Sequence, residues 1–249
     1  MAILKLKPSC KDYLWGGTRL RTEFGIEYDK DPLAESWELS CHPDGPSYIV
    51  NGESAGKTLQ QYIDENGKEI LGTDCQSFEQ FPVLIKFIDA KKDLSIQVHP
   101  DNTYALKNEG QYGKTEMWYV MDAEEGASLF YGFAREVSEE EFEERIRNHT
   151  LPEVLNKVMI HKGDVLFIDP GTIHAIGAGS LIAEIQQNSN STYRMYDYDR
   201  RDKFGNPREL HVAKALDVVD TKAYVKDENC EVILEKNDAY TLERLVQCK

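Results

Sequence analysis

A chain of 249 residues with 41% hydrophobic, 10% aromatic and 29% charged residues has material for a sizeable core and no apolar run long enough to cross a bilayer. Its net charge of −15, from 29 basic and 44 acidic residues, disfavours nucleic-acid and membrane partners but leaves room for a phosphorylated small molecule held by local cations. Five scattered cysteines (Cys10, Cys41, Cys75, Cys230, Cys248) form no C-x-x-C pair and Met1–Pro8 lacks a secretory apolar core, so a cytoplasmic protein with reduced thiols and no structural zinc is expected.

Residues 3–8 read as a short edge strand. Tyr13-Leu14-Trp15-Gly16-Gly17 reads as a turn with an aromatic anchor, its glycines allowing backbone conformations closed to other residues. Ala34–Ser40 alternates, with Glu35, Trp37 and Leu39 on one face, and Ser47–Val50 is expected to pair nearby, ahead of the Asn51-Gly52 turn. Thr58-Leu59-Gln60-Gln61 is a capping box that opens a helix to about residue 65, stopped by Asn66-Gly67. Pro82–Ala90 is a β-branched, aromatic run interrupted by Lys86, which is either an ion-pair member or a site residue.

In the strand Ser95-Ile96-Gln97-Val98-His99, closed by Pro100, the side chains of Ser95, Gln97 and His99 share one face and Ile96 and Val98 the other. A polar, metal-capable face backed by an apolar one suits a barrel that holds a ligand inside. Asp101-Asn102 caps a helical turn through Leu106. The next strand places Lys114, Glu116, Trp118 and Val120 on one face, either as a cross-strand ion pair or as part of a site, and Ser128–Phe133 follows as another strand.

Residues 134–157 predict the helical block, with a second capping box at Ser138 and Glu141 and a shorter helix from Pro152 to about Val158. Strands return at Val165–Ile168, at Leu181–Gln186, where Ile182, Glu184 and Gln186 share a face, and at Tyr193–Tyr198, where Arg194, Tyr196 and Tyr198 do. Leu210–Val219 reads as a helix, and Glu231–Leu234 and Tyr240–Val246 as late strands. The whole is expected to form one domain over 1–249, with a helical segment at about 134–160 and a C-terminal extension at about 220–249.

Gly163–His174 carries the glycine, proline-glycine and histidine spacing of the second cupin motif, with Asp169 where that motif has proline and Ala178 where it has asparagine. It resembles a cupin, which implies a mainly β, jelly-roll β-barrel fold and leaves the reaction open. Adding Gln97, His99 and Glu116, together with Trp15-Gly16-Gly17, Glu35-Ser36-Trp37-Glu38 and Thr192-Tyr193-Arg194 ahead of Tyr196-Asp197, the chain is similar over residues 13–210 to type I mannose-6-phosphate isomerases of the short bacterial form. The resemblance implies that Gln97, His99, Glu116 and His174 bind one zinc ion per chain. It also implies that Arg194 is the active-site arginine, that Glu184 is a catalytic-site glutamate, and that Ser95 and Lys114 line a sugar-phosphate pocket. The short form continues beyond the position of Lys249 into more β structure, so the C-terminal extension is expected to be incomplete.

Imidazole, carboxylate and amide ligands without cysteine fit a divalent ion with an open position, and iron, manganese or cobalt would suit the same set. Aldose–ketose isomerisation through an enediol needs a base, a cation near the developing oxyanion and a phosphate anchor. Arg194 suits the oxyanion, Lys114 suits phosphate anchoring or proton transfer, and Glu184 is the first candidate for the base, although it could equally orient a lysine. The competing readings are a non-catalytic sugar-phosphate-binding cupin and a different metal-dependent cupin enzyme. The joint presence of Lys114, Glu184 and Arg194 argues against an apolar substrate. The oligomeric state and the preferred anomer have no signature in the sequence.

Overall fold

The computed structural model describes residues 3–202 and 204–224, together with the short paired strands Cys230–Glu231 and Gln247–Cys248. The expected strands Glu231–Leu234 and Tyr240–Val246 lie almost wholly outside the described residues. In chain order the elements are β1 Leu6–Lys7, β2 Ser9–Lys11, α1 Arg19–Thr22, β3 Glu35–Leu39, β4 Tyr48–Ile49, α2 Leu59–Asn66, β5 Val83–Ala90, β6 Ile96–Val98 and α3 Asn102–Asn108. They continue as β7 Glu116–Ala123, β8 Ser128–Phe133, α4 Glu139–Arg147, β9 Leu155–Met159, β10 Val165–Ile168, β11 His174–Ile176, β12 Ser180–Gln187, β13 Tyr193–Tyr196 and α5 Val212–Leu216.

Two antiparallel sheets dominate. One runs β10-β7-β12-β5-β3-β2 and the other β13-β6-β11-β8-β9, and no hydrogen-bonded pair among the described strands joins them into a closed barrel. Their facing surfaces meet at one end in a shared core of Ile88, Trp118, Val120 and Ile182 from the first sheet and Leu129 and Ile176 from the second. Ile96 and Val98 point the other way, onto Phe142, Ile146 and Ala215 of α4 and α5, so the helices cover the outer face of the five-stranded sheet. That leaves the Gln97 face directed between the sheets, as the alternation requires.

Local signals are realised where side chains dictate them. Thr58 Oγ1 accepts from the Gln61 amide and the Gln61 side chain accepts from the Thr58 amide, completing the capping box of α2. At α4 only half of the expected box forms: Ser138 accepts from the Glu141 amide, but the Glu141 carboxylate is taken by Arg135 and Arg145 instead. Gly16 and Gly17 are required by close approach rather than by unusual dihedrals. A Cβ on Gly16 would lie 2.5 Å from Ala34 Cα, and one on Gly17 would collide with the Asp89 carboxylate.

Three expectations are corrected. The helix predicted from Pro152 to Val158 is a single 3-10 turn, Leu151–Val154, after which Leu155–Met159 pairs with β8 as an edge strand. Pairing with an open sheet edge outweighs a helix nucleus of one turn. The strand predicted to reach Tyr198 ends at Tyr196, because Tyr198 and Asp199 turn to φ of 55° and 52°. The helix predicted over Leu210–Val219 is confined to Val212–Leu216, because His211 and its neighbours hydrogen-bond β13. No helix among the described residues is long and apolar enough to cross a membrane.

Candidate functional site

Cross-strand register builds the site as two facing rows. In the six-stranded sheet Trp37, Lys86, Glu184 and Trp118 lie directly opposite one another on β3, β5, β12 and β7. In the five-stranded sheet Arg194, Gln97, His174 and Tyr131 do the same on β13, β6, β11 and β8. Residues opposite one another share a face, so both rows project their side chains between the sheets. Glu116 stands two residues before Trp118 and His99 two after Gln97, on those same inward faces.

His99, Glu116 and His174 are all buried, and one potential ligand atom from each lies within 4.8 Å of the others. His99 Nδ1 is 2.9 Å from the Ser191 carbonyl and His174 Nδ1 is 2.8 Å from the Thr172 carbonyl. A carbonyl only accepts, so each Nδ1 carries the proton and each Nε2 lone pair is turned toward Glu116, at 3.2 Å for His99 and 3.9 Å for His174. His174 Nε2 is buried with no hydrogen-bond partner among the described residues, as expected of a group built to face a cation. Burial, followed by the Lys114 charge, pushes His99 down to about 3, and burial also lowers His174, so both rings stay neutral. Burial alone would raise Glu116, but Lys114 and then His99 hold it well below the ordinary carboxylate range. Two neutral imidazoles and an ionised carboxylate, with Gln97 beside His174 in the row, are a donor set that fits a divalent cation.

Lys114 is 4% exposed, contacts Glu116 Oε1 and lies 3.2 Å from His99 Nε2, with Glu184 Oε1 3.9 Å away. Lys86 is 5% exposed and is an ion-pair member whose side chain also borders the cavity. It pairs with Glu184 Oε1 at 3.3 Å and Glu35 Oε2 at 4.0 Å, sits 4.8 Å from the Trp37 ring centroid, and lines the cavity. Trp118 Nε1 donates to Glu116 Oε2 at 2.9 Å and Glu184 Oε2 at 3.1 Å, tying the two carboxylates together. Burial, followed by the Glu116 charge, raises Glu184, whereas the Glu184 and Glu35 carboxylates outweigh burial at Lys86 and raise it as well.

A cavity of about 320 Å³ opens onto these groups, lined by Lys86, Ser95, Gln97, Lys114, Glu184 and Arg194 among others. Arg194 Nε donates to Ser95 Oγ at 3.2 Å, and Ser95 Oγ lies 3.4 Å from Gln97 Oε1. Arg194 is not spent on Asp197, which is taken by Arg200 and Arg208. All eight sequence-derived site residues therefore converge on one place. The cavity adds Glu35, Arg208 and His211, which carried no assigned role; Glu35 lay in a matching motif, while Arg208 stands in a charged loop and His211 at the start of the segment read as a helix, neither with a pattern that marks it for the site.

Two facing antiparallel sheets around a buried His-Glu-His set and a cation-lined cavity define a mainly β, cupin-type protein with a candidate metal centre. The model of the phosphomannose isomerase type I catalytic domain matches residues 3–128. The chain belongs to that family. The mannose-6-phosphate isomerase of Streptococcus mutans is 44% identical over 206 residues, covering 83% of this chain and 64% of that protein. The crystal structure of the mannose 6-phosphate isomerase from Bacillus subtilis superposes with a TM-score of 0.84 at 40% identity, covering 95% of this chain and 74% of that one. A mannose 6-phosphate isomerase structure bound with zinc and yttrium shares the fold at a TM-score of 0.66 and 18% identity, over 92% of this chain and 77% of that one. The chain spans about two thirds of the length of the curated relatives it matches.

Proposed function

We propose that this chain is an aldose–ketose isomerase that interconverts mannose 6-phosphate and fructose 6-phosphate in the cytoplasm, as one isomerase domain holding a single zinc ion. The observation that carries the reading is the junction, in one cavity, of the His99–Glu116–His174 set with Lys86, Lys114, Glu184 and Arg194. Gln97, His99, Glu116 and His174 would hold the ion, and a bound divalent cation supplies polarisation of the sugar oxygens. Cysteines Cys10, Cys41 and Cys75 are free thiols, in keeping with a cytoplasmic setting.

The reaction removes the proton on C2 of the aldose, passes through an enediol and delivers a proton to C1. Glu184 takes that proton in this reading. Its carboxylate is buried, burial and then the Glu116 charge have raised its proton affinity, and Lys86 at 3.3 Å from Oε1 offsets the charge of the ionised form. Lys114, between Glu116 and Glu184, serves the other end of the proton transfer. Arg194, anchored through Nε to Ser95 and through Nη1 to the Glu209 carbonyl, offers Nη2 to the developing enediolate oxygen. A sugar-phosphate-binding module without catalysis would have no use for two buried lysines facing a carboxylate of raised pKa.

The test is a coupled assay of mannose 6-phosphate to fructose 6-phosphate conversion, with metal content measured on the same sample. Exhaustive chelation should abolish turnover and zinc should restore it. Full turnover by the metal-free protein would remove the proposal.

A further inference from the structure

The mouth of the cavity carries more positive charge than the proton transfer uses. Arg208 and His211 line it beside Arg194. Their segment is tied alongside β13: Arg194 Nη1 donates to the Glu209 carbonyl at 2.9 Å, the His211 amide donates to the Arg194 carbonyl at 2.7 Å, and the Arg194 amide donates to His211 Nδ1 at 3.2 Å. The two guanidiniums are thus brought within reach of each other's field. Burial first, and the Arg208 charge second, lower the proton affinity of Arg194.

Asp197, 6% exposed, holds Arg208 in a two-pronged pair, Nε to Oδ2 at 2.7 Å and Nη2 to Oδ1 at 2.5 Å, and receives Arg200 on the same Oδ1. One edge of the Arg208 fork is consumed by this pair. Nη1 of Arg208 and Nη2 of Arg194 have no protein acceptor among the described residues. Two guanidiniums share the single Asp197 carboxylate, and the neighbouring Arg194 pairs with no carboxylate among the described residues, an excess of positive charge that favours a dianion. Lys114, an alternative anchor on sequence grounds, is deep in the cavity against Glu116 and His99.

We propose that Arg208, oriented by Asp197, binds the phosphate group of the substrate at the cavity mouth, leaving Arg194, Lys114 and Glu184 to the carbonyl end. This rests on the sugar-phosphate reading above. Arg208 is a binding residue and Asp197 a positioning residue acting through it.

Calorimetric titration of the zinc-loaded chain with inorganic phosphate, and the KM for mannose 6-phosphate, test the assignment. Arg208→Gln is expected to weaken phosphate binding about thirtyfold, as loss of a charged hydrogen-bonding partner does, and to raise KM by a similar factor, with kcat falling by less. Arg208→Lys keeps the charge without the fork and should lose about fivefold. Asp197→Asn should move phosphate affinity and KM in the same direction at unchanged zinc content, whereas a purely structural role would lower only the melting temperature. If Arg208→Gln does not fold, Arg208→Lys decides by the same two measurements. Unchanged phosphate affinity and KM in the folded variants overturn the proposal and leave the isomerase reading intact. Arg208-dependent phosphate binding by a wild-type chain that cannot isomerise mannose 6-phosphate upholds the phosphate site and removes the isomerase reading.

Discussion

Replacing Glu184 with Gln keeps the shape of the side chain and removes the one carboxylate that stands between Lys86 and Lys114. The lost contacts are 3.3 Å and 3.9 Å long, each about 4–5 kcal/mol of gross Coulomb attraction at an effective dielectric of 20. Most of that is offset by the cost of desolvating the charges, and Glu116, the like charge that helps to raise Glu184, gains from its removal. What remains is Lys86, buried and left with Glu35 at 4.0 Å as its carboxylate partner, so a stability loss of about 3 kcal/mol is expected. The catalytic loss is separate: removal of a positioned base costs about 10²–10⁴ in kcat. Urea unfolding gives the first quantity, and steady-state kinetics on folded protein with matched zinc content gives the second. A kcat within about threefold of wild type at full folding and full metal occupancy would falsify the assignment of Glu184 to proton transfer, leaving it a partner that orients Lys86.

Truncation of His99 or His174 to Ala should lower zinc occupancy along with rate, since each removes an Nε2 turned toward Glu116; stoichiometric metal in either variant removes that residue from the ligand set. Arg194→Lys should leave fold and metal intact and cut kcat about a hundredfold, because an ammonium cannot both hold Ser95 and meet the enediolate; a near-normal kcat moves Arg194 to the scaffold. His42 is buried, its pKa is lowered chiefly by burial, and its Nδ1 accepts the Asp44 amide at 3.1 Å, which a protonated ring cannot do. Its contribution to stability is therefore present above the unfolded pKa of about 6.5 and is lost as pH falls toward the lower folded value, at up to about 1.4 kcal/mol per pH unit. Unfolding free energies at pH 7.5 and 5.5 should differ less in His42→Asn than in wild type, and equal differences would contradict this.

The strands were legible because most of them bury one face, so their alternation survives in the residues themselves. Ser95-Ile96-Gln97-Val98-His99 is the clearest case: Ile96 and Val98 are fully buried under the helices, and Gln97 and His99 face inward. The helix caps were legible for an equally local reason. The errors fall where a distant partner decides. Leu155–Met159 became a strand because β8 offers an edge to it, and β13 stops at Tyr196 because two non-glycine residues adopt left-handed dihedrals that nothing in their type announces. The glycines of Trp15-Gly16-Gly17 were rightly singled out, but the reason for them, contact with Ala34 and Asp89, lies in the packing of segments far apart in sequence.

The site divides along the same line. The family resemblance marked the candidate ligand positions, and alternation within each short segment fixed the face each one uses. What neither could supply was register between strands. Lys86 and Glu184 are 98 positions apart, and only the pairing of β5 with β12 places them opposite one another, with Trp37 and Trp118 completing the row. That row explains why a lysine can sit in the middle of a buried strand. Its ammonium lies between two carboxylates and over an indole ring, so its charge is compensated by neighbours from other strands. The pairing also constrains function. Any substitution that slips β12 against β5 by one residue turns Glu184 out of the cavity and Lys86 out of its ion pair together, so the proposed proton transfer is tied to the register of the sheet itself.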